Sequence, residues 1–147
     1  MATCAPTDDC PRLTKDEDYD NLTDIVDESS QKEEIMLTGN MNARVGSMTD
    51  YQVVGQFGKN NINISGELLI EYCTQHSLEI LNGFNKHKLI HRYTWKRPRP
   101  SFGQKSIIDY FTTKQKTKFK WQDCRVKRGP NCGSDHYLVE ADNTHDV

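Results

Sequence analysis

The sequence predicts an α/β fold in which roughly five or six strands, running in mixed directions, alternate with two helices. Three observations indicate this fold: short apolar segments of β character recur along the chain, two segments place apolar residues at helical spacing, and turn residues separate them. With 147 residues, 35% of them hydrophobic and 27% charged, the chain has room for one domain with a modest core.

The first third of the chain predicts a leader, a helix and a strand. Residues 1–16 carry two prolines and no apolar periodicity, which predicts a disordered leader. From Glu17 to Ser30, apolar residues recur at helical spacing and predict an acidic amphipathic helix. Residues 34–38 form a short apolar run that ends at Gly39, so we expect a buried strand followed by the polar loop GNMNARVG.

The remaining chain predicts one more helix and several strands. Ser65 follows a loop rich in Gly and Asn, and it is predicted to cap a helix that stops near His76. Strands are predicted over the segments LEILN, HRYTW, SIIDYFTT, FKWQDCRV and HYLVEA, which are β-rich or alternate between apolar and polar residues.

Charge and cysteine content narrow the classes of function. Residues 1–34 contain 11 acidic and 3 basic side chains, whereas residues 35–147 contain 10 and 16. A basic body suits a nucleic-acid partner, although a solvated surface gives the same balance. The five cysteines are odd in number and lack a CxxC pair, which predicts free thiols in a reducing compartment. The alternative is a zinc site with Cys124, Cys132 and His136 as ligands, but no fourth ligand stands at a usual spacing.

No apolar run approaches the length of a membrane span, which needs about 18 residues or more. The N-terminus also lacks the basic start and apolar stretch of a secretory signal. We therefore expect an intracellular protein, nuclear or cytoplasmic, without a membrane partner.

Polar side chains stand at three places where a predicted strand meets a loop. Asn40 and Asn42 follow the first strand, Asp109 interrupts an apolar strand, and Asp135 with His136 precedes the last strand. Each alone is compatible with a turn or a loop-facing side chain. Together they favour a phosphodiester-hydrolysis site, because an Asp can orient a histidine, a second Asp can hold a hard cation, and amides can hydrogen-bond a phosphate.

Three segments, in this order, resemble motifs of the endonuclease/exonuclease/phosphatase superfamily. GNMNARVG is similar to its Gly-Asp-Phe-Asn-Ala motif, SIIDYF to its Ile-Asp-Tyr motif, and GSDHYLV to its Ser-Asp-His motif. The resemblance covers about residues 34–140 and is closest to the endonuclease domain of non-LTR (LINE/RTE-type) retrotransposons and genes derived from them. It implies the C-terminal half of a two-sheet α/β sandwich of the DNase I-like type, with a mixed sheet and helices on one face. It also implies Mg²⁺ or Mn²⁺ as cofactor and DNA as partner.

The resemblance implies a role for each motif residue. His136 would contact the scissile phosphate or help to deprotonate the attacking water, oriented by Asp109, and Asp135 would be a metal-site carboxylate. Asn42 matches the amide that hydrogen-bonds the phosphate and the nucleophile. Asn40 stands where the family has an aspartate, and an amide cannot transfer the proton that a carboxylate does, a contribution on the order of 10²–10⁴ in rate.

The family fold also has an N-terminal half that supplies an Asn and the main metal-binding Glu, and residues 1–34 do not resemble it. The sequence therefore predicts a leader over residues 1–16, a partial domain over residues 17–140 and a tail over residues 141–147. We expect such a domain to be inactive as an endonuclease and do not expect it to hold the metal firmly by itself.

Two alternatives stay open: a non-catalytic nucleic-acid-binding or interaction module, and a nuclease that is active when another chain completes it. Tight, salt-dependent DNA binding without metal would favour the first, and plasmid cleavage with magnesium would favour the second. An uncovered sheet face would allow self-association. The candidate phosphate-binding side chains are Lys96, Arg97, Arg99, Arg125, Lys127 and Arg128.

Overall fold

The computed structural model describes residues 1–29, 32–47, 52–97, 104–129 and 134–145. The strands in these ranges are β1 (Ala2–Cys4), β2 (Met36–Asn40), β3 (Leu78–Ile80), β4 (Trp95–Lys96), β5 (Lys105–Ser106), β6 (Asp109–Lys114), β7 (Phe119–Lys127) and β8 (Leu138–His145). The helices are α1 (Arg12–Glu28) and α2 (Ile64–Gln75), with short 3-10 turns at Leu81–Gly83 and Leu89–His91. Neither α-helix of the described ranges has the length and apolar character that crossing a membrane requires.

Four of the strands form a mixed sheet in the order β1-β2-β6-β3. Strand β1 runs parallel to β2, and β6 runs antiparallel to both of its neighbours. The register places Leu37 and Ile80 on either side of Thr112, and it places Asn40 opposite Asp109. The mixed sheet and the two helices confirm the predicted mixed α/β class, and the pairing of Asn40 with Asp109 brings two motif residues together.

The core lies where helix α2 covers one face of this sheet. Leu69 and Cys73 of α2 and Leu37 of β2 are buried in one hydrophobic cluster, together with Leu22 of α1. Alternation along the strands sends every second side chain to this face. On the opposite face of the sheet, Phe111 is only half-buried. Self-association through that face stays a prediction.

The cap of helix α2 lies two residues earlier than the sequence predicted. Asn63, and not Ser65, is the cap: its side-chain oxygen accepts the backbone N–H of Gly66 at 2.8 Å and that of Arg44 at 2.9 Å. A Cβ atom at Gly66 would lie 1.7 Å from the backbone oxygen of Arg44. The glycine therefore lets the helix N-terminus lie directly against the loop that follows β2.

The N-terminal segment differs from the predicted disordered leader. Residues 2–4 form the edge strand β1, and α1 begins within the predicted leader. Backbone hydrogen bonds hold this segment, such as that from Ala5 N to Asn40 O at 2.8 Å, and these need no apolar periodicity. Gly39, with a φ of 141°, permits the approach, since a Cβ atom there would lie 1.9 Å from Thr3 O.

Other predicted strands are shorter than the sequence indicated. The segment HRYTW contains the end of a 3-10 turn and the start of β4, and SIIDYFTT is divided between β5 and β6. Strands β4 and β5 pair with each other, as do β7 and β8, in two separate two-stranded sheets. The chain between β3 and β4 docks on β7, where Asn85 donates to Gln122 O at 3.1 Å and the His91 ring contacts Val126 O at 3.0 Å.

Candidate active site

Asp109 and His136 form a direct side-chain pair. His136 Nδ1 lies 2.8 Å from Asp109 Oδ2, and the two side chains are 30% and 19% exposed. A carboxylate accepts hydrogen bonds, so Nδ1 carries the proton and Nε2 is left as the second functional atom of the ring. The contact that the sequence predicted between these residues is present.

Hydrogen bonds from Thr94 and Asn82 fix the backbone of Asp109. The hydroxyl of Thr94, a fully buried residue, accepts the backbone N–H groups of Ile108 at 3.0 Å and Asp109 at 3.1 Å. The Asn82 side chain donates to Asp109 O at 3.0 Å and accepts the N–H of Phe111 at 3.0 Å. The sequence reasoning missed both residues, since Thr94 fits an ordinary strand and Asn82 an ordinary strand end.

Contacts with Thr94 and Trp95 fix the chain segment that carries His136. Trp95 and His136 form a β-bridge, and Tyr137 N donates to Thr94 O at 2.7 Å. Asp135 is exposed, and its Oδ2 accepts the indole N–H of Trp95 at 2.8 Å, while its Oδ1 lies 3.9 Å from His136 Nε2. The Asp-His segment is therefore attached to strand β4.

The loop after β2 turns sharply into the same region. Asn40 Oδ1 accepts the backbone N–H of Asn42 at 2.9 Å, and Asn42 has a φ of 47°, a left-handed conformation that asparagine tolerates. The Asn42 side chain donates to Ala5 O at 2.8 Å, so the N-terminal segment uses the amide that the resemblance assigned to phosphate.

Tyr110 joins this loop to the strand that carries Asp109. Its buried hydroxyl lies 2.8 Å from Ala43 O and 2.6 Å from Ile107 O and can donate to either. Burial raises the pKa of Tyr110, so the hydroxyl stays protonated as a donor.

The three motifs meet at one cleft of about 210 Å³. Its lining residues come from five parts of the chain and are Asp8, Asn40, Asn42, Arg44, Trp95, Ile108 and His136. Arg44 Nε donates to Ser106 Oγ at 3.2 Å, which holds the guanidinium group at the cleft. The sequence reasoning did not single out Asp8 or Arg44; Arg44 is basic and lies within the first motif, which was an available signal.

Comparison with known proteins finds relatives of this chain. The chain is 30% identical over 123 residues to craniofacial development protein 2 of Tragulus javanicus and, to the same extent, to that of Bos taurus. The chain is related to craniofacial development protein 2. The alignments cover 84% of this chain, which spans only 21% and 20% of the length of these relatives. No family model matches the chain.

The carboxylates near the cleft already have partners within the chain. Hard divalent cations take about six or more oxygen ligands, several of them usually from the protein. Across the described ranges, no three His, Cys, Asp or Glu side chains are grouped so that they could hold a metal ion. The carboxylate of Asp109 is bonded to His136, and that of Asp135 is bonded to Trp95.

Of the alternative zinc ligands, Cys132 lies outside the described residues. Cys124 is buried in β7, and its burial raises the pKa of the thiol to about 12. Since zinc binds the thiolate form, this environment disfavours Cys124 as a ligand.

Three basic residues at the end of β7 and just after it have partners within the chain. Arg125 Nε lies 3.6 Å from Asp123 Oδ2, and Lys127 Nζ lies 3.1 Å from Glu140 Oε1. The Arg128 guanidinium lies 4.4 Å from the centre of the Tyr137 ring. These three side chains, which the sequence offered as phosphate ligands, therefore have intramolecular partners.

The basic residues of the β4–β5 region are more open. Lys96 and Arg97 are exposed, and Arg97 Nη1 donates to Gln104 Oε1 at 3.1 Å. Arg99 lies outside the described residues. Nucleic-acid binding by these residues stays a prediction.

Proposed function

We propose that this chain is part of an endonuclease/exonuclease/phosphatase-type domain, of the retrotransposon kind, that recognises a phosphodiester group but does not cleave it by itself. One observation carries the proposal: the His136 ring that is bonded to Asp109 opens into the same cleft as Asn40, Asn42 and Arg44. The three motifs that resemble the superfamily thus converge on one small volume.

The cleft offers the groups that recognise a phosphodiester. Arg44 supplies a permanent positive charge, and His136 can add a second donor through Nε2 while Asp109 holds Nδ1. The amide of Asn42 could join them if it left Ala5 O. This set is suited to binding a singly charged phosphodiester between a guanidinium group, an imidazole and side-chain amides.

Hydrolysis makes two further demands, and the chain meets neither well. A carboxylate is needed to transfer a proton, and the position that would supply it is Asn40, whose side-chain oxygen is occupied by the backbone N–H of Asn42. A divalent cation would need several free oxygen ligands, whereas the carboxylates of Asp8, Asp109 and Asp135 are bonded to Asn63, His136 and Trp95. We therefore infer that Mg²⁺-dependent cleavage is absent from this chain alone.

A cleavage assay and a binding assay test the proposal together. Supercoiled plasmid incubated with the chain in magnesium or manganese should stay intact, and Asn40→Asp should not change this. A dinucleoside monophosphate should shift the NMR signals of the His136 ring and the Arg44 side chain, and Arg44→Gln should weaken this binding. Magnesium-dependent nicking that His136→Ala abolishes would contradict the proposal, as would the absence of any shift on adding the dinucleotide.

The second candidate is a nuclease that another chain completes, and the intact pair of Asp109 and His136 favours it. Addition of the N-terminal half of a related active domain would then produce metal-dependent nicking. In that complex, Asn40→Asp should raise the rate on the order of 10²-fold or more if proton transfer limits cleavage.

A further inference from the structure

We infer that the groove between helices α1 and α2 binds an arginine side chain from a basic segment of a partner protein. The groove has a volume of about 230 Å³, and none of the residues that line it belongs to the three motifs or to the cleft. This binding requires neither a phosphodiester nor a metal ion, so it is independent of the proposed function.

The groove has an aromatic floor and an acidic rim. Helix α1 contributes Asp16, Tyr19 and Asp20, and α2 contributes Glu71 and Tyr72, with three or four residues separating neighbours along each helix. The centres of the two tyrosine rings lie 5.2 Å apart. Tyr72 is buried and Tyr19 half-buried, whereas Asp20 and Glu71 are exposed, so the carboxylates surround the rings at the surface.

The acidic rim carries more negative charge than the groove itself neutralises. Arg12 also lines the groove, but its Nε lies 3.1 Å from Asp16 Oδ1, and the two charges compensate each other. Within the described part of the chain, Asp20 and Glu71 have no salt bridge. Helix α1 as a whole contains seven acidic and two basic residues, so the potential around the groove attracts a cation.

The hydroxyl of Tyr72 is a second and independent sign of a ligand. Tyr72 is only 5% exposed, yet its hydroxyl has no hydrogen-bond partner among the described residues. The hydroxyl of Thr23, which is close to it and also lines the groove, donates instead to Tyr19 O at 2.9 Å. A buried polar group without a partner is costly and uncommon. Because a phenol oxygen can accept a hydrogen bond, an N–H group of a bound cation would supply the missing partner.

Rings, carboxylates and an open acceptor together favour a guanidinium group over other cations. A guanidinium group stacks on aromatic rings and presents a planar set of five N–H donors to carboxylates, whereas an ammonium group is a strongly hydrated point charge. A groove of about 230 Å³ is smaller than the roughly 300–1,000 Å³ of pockets for drug-sized ligands, and it suits a single side chain. The acidic surface of α1 around it is complementary to a basic protein segment.

The test is titration of the chain with the capped peptide acetyl-Lys-Gly-Arg-Gly-Lys-amide, followed through the NMR signals of the Tyr19 and Tyr72 rings. Two further peptides replace the central arginine by lysine or by citrulline, which has the same shape without the charge. The arginine peptide should bind about fivefold more tightly than the lysine peptide, because the ammonium group keeps its water and cannot stack. It should bind about tenfold or more tightly than the citrulline peptide, which lacks the ion pairs.

Three variants separate ligand binding from a structural role. Tyr72→Phe removes a hydroxyl without an internal partner, so the melting temperature should stay the same or rise while affinity for the arginine peptide falls about threefold or more. Asp20→Asn combined with Glu71→Gln should lower that affinity by about tenfold, as expected for two ion pairs. The matched control, Glu17→Gln combined with Glu67→Gln, removes the same charge from exposed positions on the same two helices and should change the affinity by less than about twofold.

Four results would overturn the inference. They are equal binding of the arginine and citrulline peptides, equal losses in the groove and control double variants, native affinity in Tyr72→Phe, and a lower melting temperature in Tyr72→Phe. A dimer of the native chain in sedimentation without peptide, abolished by the groove double variant, would show that a second copy of the chain occupies the groove, and it would also overturn the choice of a partner protein. Plasmid nicking in magnesium would refute the proposed function and change none of these results.

Discussion

Replacement of Thr94 by valine should loosen the site without changing its shape. Thr94 is fully buried, and its hydroxyl accepts the N–H groups of Ile108 and Asp109 at 3.0 and 3.1 Å. Valine has nearly the same volume but no acceptor, so Thr94→Val leaves both N–H groups without this partner. The second of these belongs to the residue that orients His136.

The expected loss in the free energy of unfolding follows from the two N–H groups that lose their acceptor. A buried polar group left without a partner costs about 1–3 kcal/mol, and the N–H of Asp109 is only partly buried, so we expect roughly 2–4 kcal/mol in total. Thr94→Ser keeps the hydroxyl and removes one methyl group, which should cost about 1 kcal/mol. The valine variant should therefore be clearly less stable than the serine variant.

Denaturant unfolding of the native chain and both variants measures this difference, provided that the slope with denaturant is unchanged. The ring signals of His136 should broaden or shift in Thr94→Val and stay close to native in Thr94→Ser. Equal destabilisation by the two substitutions would show that packing of the methyl group, and not the paired hydrogen bonds, is what Thr94 provides. That result would refute our account of how Asp109 is positioned.

Three further predictions concern charge, burial and backbone contact. Asp8 lines the cleft, so Asp8→Asn should raise DNA affinity by up to about fivefold, as expected from removing about 1 kcal/mol of repulsion. The control is Asp9→Asn, at the exposed neighbouring residue. An equal gain in affinity from Asp9→Asn would contradict the placement of Asp8 at the cleft. Burial raises the pKa of Cys73 from 9.0 to about 12. Because the unfolded chain then loses the thiol proton first, the free energy of unfolding should fall as pH rises from about 9 towards 12, and it should fall less steeply in Cys73→Ala. Iodoacetamide should modify the exposed Cys4 and spare Cys73 in the folded chain. Gly66→Ala should destabilise the fold by about 3 kcal/mol or more by urea unfolding, because the new methyl group would overlap a backbone oxygen, and a near-native stability would show that α2 can move away from the loop.

The sequence by itself determined the mixed α/β class, helix α2 to within a residue or two, and the pairing of Asp109 with His136. The helix follows from apolar spacing within one short segment, which is local information. The pairing followed from a resemblance of three motifs in order, since the order of motifs carries the topology that brings distant residues together. The register of β2 with β6 sets Asn40, of the first motif, opposite Asp109, of the second.

Only the tertiary structure decided which other groups share the site. Residues 1–4 pair with β2 through backbone atoms, and Asp8 reaches the cleft, although no side-chain pattern in the leader indicates either contact. The same holds for the basic residues: Lys127 pairs with Glu140, whereas Lys105 lies opposite another lysine, Lys96, although a lysine is equally basic at all three positions. Hydrophobic periodicity records which face of a local element is buried, but hydrogen bonds and ion pairs between distant segments depend on how the elements are placed in space.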